Sequence, residues 1–366
     1  MELKWLAMVL VVLSLGAGLC DGCLEEERFA LFQLKPFFEF INYKLQANNF
    51  ELNPKKESSS NCWVECDPIT GRVTHLFLNY SSSNKMQWYL NASLFLPFEE
   101  LQNLSLNRNF IAGCIVNQGF ERLSSKLDKL ENLDLSENHF NDSILASLSE
   151  LASLKSLNLK YNLFTGLNPT NGIEMLLKLN NLESLDLSSN RLGNNILSQL
   201  NDFASLKSLH LVYCGLKGTL DIQVINNNWM NLKELYLGGN EINSLGSLFH
   251  EKEGMKLNKL EVLSVPGNLF NNSIFSSLAE VSNLKSLDLS YNQLEGAINT
   301  KDLNVLSNLE ELILFGNKVN GFIPSQGLRL MNLKHLDLGT LSIDINGLTD
   351  MKGKNQPSPH PLFFFS

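Results

Sequence analysis

The chain has 366 residues, of which 44% are apolar and 18% are charged, so it can bury a large core and does not have the composition of a disordered segment. Its formal net charge is -9 and its pI is about 5.3. No cluster of lysines and arginines offsets this charge, so the phosphate attraction on which nucleic-acid binding depends is missing. We therefore do not expect nucleic acid as a partner.

Residues 1–22 have the pattern of a secretory signal peptide. Lys4 precedes the apolar run 6–15, and small residues follow it. That run is shorter than the roughly 20 apolar residues of a membrane span, and so is every later one, including the terminal PLFFFS. We expect cleavage between Gly18 and Gly22, the alternative being a retained signal anchor. The chain as written is predicted to enter the secretory pathway and to be exported to the extracellular space without an anchor.

Residues 23–78 predict a helix followed by a strand. The stretch CLEEERFALFQLK predicts an amphipathic helix that carries Phe29, Phe32 and Leu34. The strand is predicted from the alternating apolar residues of VTHLFL (73–78).

Residues 79–339 repeat the pattern LxxLxLxxN. LESLDLSSN (182–190) and LKSLDLSYN (284–292) are nearly identical, and successive coils are 24 to 29 residues apart. This is the period of a leucine-rich repeat. The ten coils begin at Leu101, Leu130, Leu154, Leu182, Leu206, Leu232, Leu260, Leu284, Leu309 and Leu333.

The repeat predicts an α/β solenoid, a curved right-handed superhelix. The first, fourth and sixth leucines of each coil point inward, and the strands pair into a parallel sheet on the concave face. FNDSILASLSEL (140–151) and FNNSIFSSLAEV (270–281) predict short helices or 3₁₀ turns on the convex face. The open end of such a stack exposes leucines, so residues 23–78 are expected to form an N-terminal cap.

The ninth coil position is Asn in eight coils. We expect these amides to form an internal ladder that satisfies buried backbone groups. Cys214 takes this position in one coil, where a small core residue is the interpretation we favour over a reactive thiol. The eight residues are Asn109, Asn138, Asn162, Asn190, Asn240, Asn268, Asn292 and Asn317.

Five Asn-x-Ser triplets are candidate N-glycosylation sites. Such triplets arise by chance in an Asn-rich repeat, but together with the leader they support export. They begin at Asn79, Asn91, Asn103, Asn141 and Asn271.

CLEEERFALFQLK, NCWVEC, TGRVTHLFL, AGCIVNQGFERLS and the Gly-x-Ile-Pro of residues 321–324 resemble plant leucine-rich-repeat receptor-like proteins over residues 23–339. The resemblance implies an extracellular solenoid that recognises a peptide or protein, often in immunity or development. In that family further repeats, an island segment, an acidic stretch, a transmembrane helix and a short tail without a kinase follow. It also implies a co-receptor kinase as partner if a longer membrane form exists.

The cysteines of the cap depart from the family pattern. The family has a Cys-Cys pair before its Trp, whereas this chain has Cys62, Trp63 and then Cys66. The resemblance favours a disulfide between Cys23 and Cys62, and the partners of Cys66 and Cys114 stay open. No second cysteine pair or histidine cluster completes a four-ligand zinc site.

No catalytic motif is found in the sequence. A phosphate-binding loop, a Gly-x-Ser-x-Gly elbow and a kinase signature are missing, and HEKEG (250–254) lacks the second His of a zinc-protease helix. We therefore predict a binding protein without enzyme activity, cofactor or metal.

The candidate binding residues lie where the strand positions depart from the Asp and Ser that are typical of a solvated face. Ile313 and Phe315 are expected to form an exposed apolar pair, unless they pack under the next coil or reflect drift. His210 could titrate with apoplastic pH or simply be solvated. The candidate ligand-binding residues are His210, Val212, Tyr213, Tyr236, Ile313 and Phe315.

Residues 340–366 lose the repeat, since Leu341 stands where the Asn is expected. We expect a disordered tail after a premature stop in a receptor-like protein. Three interpretations stay open: a piece of a receptor ectodomain, a secreted binder resembling polygalacturonase-inhibiting proteins, and a nonfunctional product.

Overall fold

The computed structural model describes residues 24–34, 37, 62–79, 86–166, 172–200, 203–220, 231–245, 259–278, 281–303, 306–323 and 332–339. The predicted signal peptide and tail lie outside these residues. The chain divides into two compact units, an N-terminal unit of residues 1–162 and a C-terminal unit of residues 163–366.

Short helices and three-residue strands make up most of the regular structure. The α-helices are α1 (Glu25–Leu34), α2 (Leu145–Leu148), α3 (Asn195–Gln199), α4 (Ile274–Ser277) and α5 (Thr300–Leu303). The 3₁₀ helices are Ala92–Phe95, Phe120–Arg122, Asp142–Ile144 and Ile173–Lys178. None of the helices in the described ranges has the length and hydrophobicity of a membrane span.

In the N-terminal unit, β2, β4, β6 and β7 pair in parallel in that order, while β1 pairs antiparallel with β2. A separate parallel pair, β3 with β5, lies outside that sheet. The strands are β1 (Cys62–Cys66), β2 (Val73–Leu78), β3 (Trp88–Leu90), β4 (Asn103–Ser105), β5 (Ile111–Cys114), β6 (Asn132–Asp134) and β7 (Ser156–Asn158).

In the C-terminal unit, β8, β9, β11, β13, β14, β16 and β18 pair in parallel in that order. Two further parallel pairs, β10 with β12 and β15 with β17, lie outside that sheet. The strands are β8 (Ser184–Asp186), β9 (Ser208–His210), β10 (Lys217–Thr219), β11 (Glu234–Tyr236), β12 (Glu241–Ser244), β13 (Val262–Ser264), β14 (Ser286–Asp288), β15 (Glu295–Asn299), β16 (Glu311–Ile313), β17 (Lys318–Ile323) and β18 (His335–Asp337).

These strands confirm the repeat prediction, because each predicted coil has its strand at the third to fifth position. The central leucine of the strand is buried in every coil except that of β18, where Leu336 is half-buried, and the residues on either side of it point the other way. The helices predicted at 140–151 and 270–281 are confirmed by α2, with the 3₁₀ turn before it, and by α4.

The helix α1 buries a face that differs from the predicted one. Phe29 and Phe32 are 43% and 44% exposed, so they do not form the buried stripe of the helix. The buried residues are three or four positions apart, which is the spacing of one helical face. They are Glu27, Ala30, Leu31 and Leu34.

Glu27 is a buried carboxyl group that links α1 to the start of β2. The backbone N–H of Val73 donates to its Oε2 at 2.6 Å, and Nη1 of Arg72 lies 3.6 Å from its Oε1. Burial raises the pKa of Glu27 despite that hydrogen bond and the attraction of Arg72.

The predicted asparagine ladder is confirmed. Asn138 donates from Nδ2 to the carbonyl oxygens of Leu106 at 2.9 Å and Leu135 at 3.1 Å, and its Oδ1 accepts from the N–H groups of Asn109 and Ile111, both at 3.0 Å. One buried side chain thus joins its own turn to that of the preceding coil.

Cys214 replaces this amide in the coil of β9. The thiol is buried and free, and its Sγ donates to the carbonyl of Leu187 at 3.3 Å. Burial raises the pKa of Cys214 to about 12, so the thiol is protonated and unreactive at ordinary pH. This agrees with the core interpretation.

We expect Asn240→Ala to lower the free energy of unfolding by about 2–4 kcal/mol, because it removes the partners of several buried backbone groups. Nδ2 of Asn240 donates to the carbonyls of Leu211 and Leu237, and Oδ1 accepts from the N–H groups of Cys214 and Leu216. Urea denaturation measures the change. The exposed Asn243 is the matched control, and Asn243→Ala should change stability by less than about 0.5 kcal/mol. Equal effects of the two substitutions would contradict the ladder.

Glu27→Gln should change how stability depends on pH. Because the folded-state pKa of Glu27 is raised above its ordinary value near 4.5, its stabilising contribution is fully present below that value and is lost as the pH rises through the folded-state pKa. The variant should therefore gain stability relative to wild type as the pH rises from acidic to neutral, measured by urea denaturation at each pH. Glu26→Gln, an exposed change in the same helical turn, should show no such trend, and a trend in both would refute the assignment.

Candidate ligand-binding face

The sheet face of the C-terminal unit is formed by the third, fifth and seventh residues of its coils. Side chains alternate along a strand, so these positions face away from the buried leucines. On β9 they are Ser208, His210 and Val212, and each is half-buried. The term sheet face is used below for these positions on β8, β9, β11, β13, β14, β16 and β18.

His210 and Tyr236 stack against each other on neighbouring strands. They are direct partners in the pairing of β9 with β11, their ring centroids are 4.1 Å apart, and their planes differ by 13°. Next to them, Ser208 Oγ donates to Glu234 Oε2 at 2.9 Å and lies 3.1 Å from His210 Nε2. The two stacked rings are thus held in place, with the polar groups of Ser208 and Glu234 beside them.

The chemistry of this cluster is that of a hydrogen-bonding anchor. Burial raises the pKa of Tyr236, and the nearby Glu234 carboxylate raises it further, so the phenol keeps its proton. Rigid, partly buried aromatic groups with a polar tip are typical binding anchors.

Tyr213 lies at the border of the sheet face with its ring over a glycine of the next coil. It is 63% exposed and has a left-handed φ of 54°. A Cβ atom on Gly239, itself at φ +64°, would lie 2.1 Å from the Tyr213 ring. The neighbouring Val212 is half-buried, and its N–H donates to Ser188 Oγ at 3.1 Å.

A second aromatic group lies at the border near β14 and β16. Tyr291 and Phe315 meet edge to face, with ring centroids 4.8 Å apart and an interplanar angle of 79°. A Cβ atom on Gly316 would lie 2.6 Å from the Tyr291 ring, and one on Gly339 would lie 2.0 Å from the Phe315 ring. Ile313 and Phe315 are both half-buried and do not form an exposed pair. For Phe315 this agrees with the alternative of packing against the next coil.

Sequence reasoning missed Tyr291, which is 58% exposed. Its signal is in the sequence: a Tyr at the eighth coil position is followed by a Gly at the same position of the next coil, in Tyr213 with Gly239 and in Tyr291 with Gly316. The structure brings the predicted residues into two groups, one around His210 and one around Phe315.

The aspartates of the sheet face have a structural role as well. Asp186 Oδ1 accepts from the Ser188 N–H at 2.8 Å, and Asp288 Oδ1 accepts from both the N–H and the hydroxyl of Ser290 at 2.9 and 2.7 Å. A fifth-position aspartate thus holds the turn after its strand, which explains why Asp and Ser are the usual residues there.

Three of the candidate glycosylation sites share one local conformation. The Oδ1 atoms of Asn91, Asn141 and Asn271 accept from the N–H of the serine two residues on, at 3.0, 3.0 and 2.9 Å. Asn103 is a half-buried residue of β4, and Asn79 Oδ1 accepts from Ser105 Oγ at 2.6 Å. Glycosylation at these sites stays a prediction.

The cysteines of the N-terminal unit and possible metal ligands were the other candidate functional groups. Cys66 is disulfide-bonded and Cys114 is free, whereas the side chains of the predicted pair Cys23 and Cys62 lie outside the described residues. Within the described part of the chain, no group of three or more His, Cys, Asp or Glu residues is arranged to hold a metal ion.

Family models described as Leucine Rich repeat match residues 129–151, 178–200 and 282–298. The chain is 31% identical over 298 residues to Cuscuta receptor 1 of Solanum lycopersicum, covering 81% of the chain and 22% of that protein. It is 37% identical over 188 residues to Receptor-like protein 9a of Arabidopsis thaliana, covering 50% of the chain and 19% of that protein. The chain therefore spans about a fifth of the length of these relatives.

Among solved structures, the chain is similar to the leucine-rich-repeat ectodomain of the plant membrane receptor kinase GASSHO1/SCHENGEN3 from Arabidopsis thaliana, in complex with CASPARIAN STRIP INTEGRITY FACTOR 2. The TM-score is 0.52 and the identity 29%, and the match covers 81% of this chain and 34% of the other. The fold class is therefore that of a leucine-rich-repeat ectodomain.

Gly239→Ala should lower the free energy of unfolding by about 2–3 kcal/mol, since it combines left-handed strain with a clash against Tyr213. Gly193→Ala is the matched control: its φ is +60°, and a Cβ there meets nothing within 4 Å. We expect that control to cost only the strain, about 1 kcal/mol. In a Tyr213→Ala background the two costs should become equal, and an unchanged difference would show that the ring does not rest on Gly239.

Proposed function

This chain belongs to the leucine-rich-repeat receptor-like proteins of plants, and we propose that it is a non-catalytic extracellular recognition module that binds a peptide or protein on the sheet face of its C-terminal unit. The role we assign to it is ligand binding in cell-surface signalling or defence. The names of its relatives support the receptor class, and the solved ectodomain of the receptor kinase in complex with its factor supports binding by this type of fold.

The observation that carries this proposal is the stacked pair of His210 and Tyr236. Two rings held parallel on adjacent strands lose little side-chain entropy on binding, so a ligand gains contact area at low cost. The hydrogen bonds of Ser208 and Glu234 fix the polar edge of the pair before any ligand arrives.

The same cluster does not have the order of a hydrolytic triad. A triad needs the imidazole to take the serine proton while the acid orients the imidazole. Here Ser208 Oγ donates to Glu234 Oε2 at 2.9 Å and also lies 3.1 Å from His210 Nε2, so the serine hydroxyl is not paired with the imidazole alone. The arrangement favours binding over nucleophilic catalysis.

A co-receptor kinase is the partner that we propose for a longer membrane form of the protein. The chain covers about a fifth of the length of its curated relatives, and the proposal assigns signalling to such a longer form. Ligand capture by the sheet face is the part of the function that this chain would carry.

The test is affinity capture from plant extracellular fluid with the tagged secreted chain, followed by measurement of the dissociation constant of each captured protein or peptide. We expect His210→Ala with Tyr236→Ala to weaken binding at least about tenfold, the usual effect of losing a central aromatic anchor. The control is Tyr89→Ala, an exposed tyrosine of β3 in the N-terminal unit, which should leave affinity unchanged. Equal binding by all three proteins would refute a ligand site at this pair.

A further inference from the structure

We propose that the ligand segment that docks on this sheet face is an extended cationic peptide segment rich in arginine or lysine. This inference rests on the proposed function, and it adds the chemistry of the occupant. It follows from three features of the C-terminal unit: the sign of charge on the face, the way nearby lysines are compensated, and the aromatic border.

The sheet face of the C-terminal unit carries negative charge without any compensating lysine or arginine. Its described strand positions hold five carboxylates and no Lys or Arg. The corresponding positions of the N-terminal unit have a single acid and a single base, Asp134 and Lys160, which cancel. The charge is therefore a property of the C-terminal face and not of the repeat. The carboxylates belong to Asp186, Glu234, Asp288, Glu311 and Asp337.

The nearest lysines are largely paired with glutamates of their own row. That row holds four lysines and three glutamates, since Glu261 pairs with both Lys233 and Lys285, and so it leaves one net positive charge against five carboxylates. Second-position residues of successive coils form salt bridges along one border of the sheet, for example Lys285 Nζ with Glu261 at 2.7 Å and Lys334 Nζ with Glu310 at 2.6 Å. Lys207 pairs in the same way with Glu183 at 2.7 Å. The field at the centre of the face stays negative, which attracts a cationic partner.

Glu311 shows how such a carboxylate is kept ionised and in place. Ser286 Oγ donates to its Oε2 at 2.6 Å, and His335 Nδ1 lies 3.0 Å from its Oε1. These two contacts, with Ser286 the larger cause, lower the pKa of Glu311 even though partial burial opposes them. The carboxylate therefore stays charged at the mildly acidic pH of plant extracellular fluid.

The other border of the face offers aromatic rings to the same kind of side chain. Tyr213, Tyr291 and Phe315 lie along it, each with its ring over a glycine. An arginine guanidinium stacks on such rings and a lysine packs its methylene stem against them, while the charged group reaches a carboxylate. Acids at the centre beside aromatics at the border suit cationic side chains better than neutral ones.

The length of the face sets the length of the segment. From β8 to β18 there are six strand spacings of about 4.8 Å, or about 29 Å, which an extended peptide spans with about nine residues. Between the two aromatic groups the side chains of the face are short, because the seventh coil position after β11 is Gly238 and after β13 is Pro266. A peptide backbone can approach closely there.

The probe is a displayed library of random nine-residue peptides, selected on the secreted full chain at mildly acidic pH. We expect the selected peptides to be enriched in arginine and lysine, and to lose binding with His210→Ala and Tyr236→Ala. Affinity of the best synthetic peptide should fall as salt rises.

The decisive variant is Glu234→Gln with Glu311→Gln, which should weaken that peptide about tenfold, and its match is Glu241→Gln with Glu295→Gln. Both pairs change the net charge equally, but Glu241 and Glu295 are exposed on β12 and β15, outside the sheet face. The matched pair should stay within about twofold of wild type.

Neutral or acidic selected peptides that still require His210 and Tyr236 would overturn the cationic inference and leave the proposed function standing. Equal losses with both glutamate pairs would also overturn it, because the effect would then come from net charge. Selection of no peptide that depends on His210 and Tyr236 would overturn both proposals.

Discussion

The fold depends on one interaction that recurs in most of the coils, the buried asparagine amide that closes the turn after the strand. In the coil of β9 the thiol of Cys214 takes its place. A chain that reverses inside a core leaves backbone N–H and C=O groups away from water, where each unpaired group costs about 1–3 kcal/mol. Asn138 and Asn240 each satisfy donors and acceptors in two consecutive turns. The stacking of coils is therefore specified by polar groups as well as by leucines. The backbone N–H groups in the turn of one coil need the asparagine of the next coil as their hydrogen-bond acceptor.

The same turn determines where the border aromatics lie. The residue before the ninth coil position is held in the left-handed region, with φ of 54° at Tyr213, which precedes Cys214, and 52° at Tyr291, which precedes Asn292. A residue with a Cβ atom is strained by about 1–2 kcal/mol in this conformation, and glycine is not. The rings of Tyr213 and Tyr291 each lie over the glycine of the next coil, so these two Tyr–Gly pairs are packing contacts between coils. The position of each exposed ring therefore depends on the backbone of two consecutive coils.

The sequence predicts what depends on periodicity and misses what depends on contacts between coils. Strand positions, the amide ladder and the position of His210 beside Tyr236 follow from the repeat alone, because equivalent residues of adjacent coils must become neighbours. The strand β1 and the buried face of α1 did not follow, since the cap lies outside the repeat and Glu27 takes a place that apolar patterning assigns to Phe29 or Phe32. The half-burial of Phe315 required the edge-to-face contact with Tyr291.

The same constraints bear on which positions of a repetitive face are available for the binding that we propose. Asp186 and Asp288 each accept a hydrogen bond from the turn of their own coil. One oxygen of each carboxylate is therefore already engaged within the fold. Where the fifth position is His210 instead, the N–H of Val212 in the following turn donates to Ser188 Oγ of the preceding coil. In the coil of β9 a neighbouring coil thus supplies the hydrogen bond that a fifth-position aspartate supplies in the coils of β8 and β14. Binding chemistry is therefore expected where two adjacent coils change together, as β9 and β11 do.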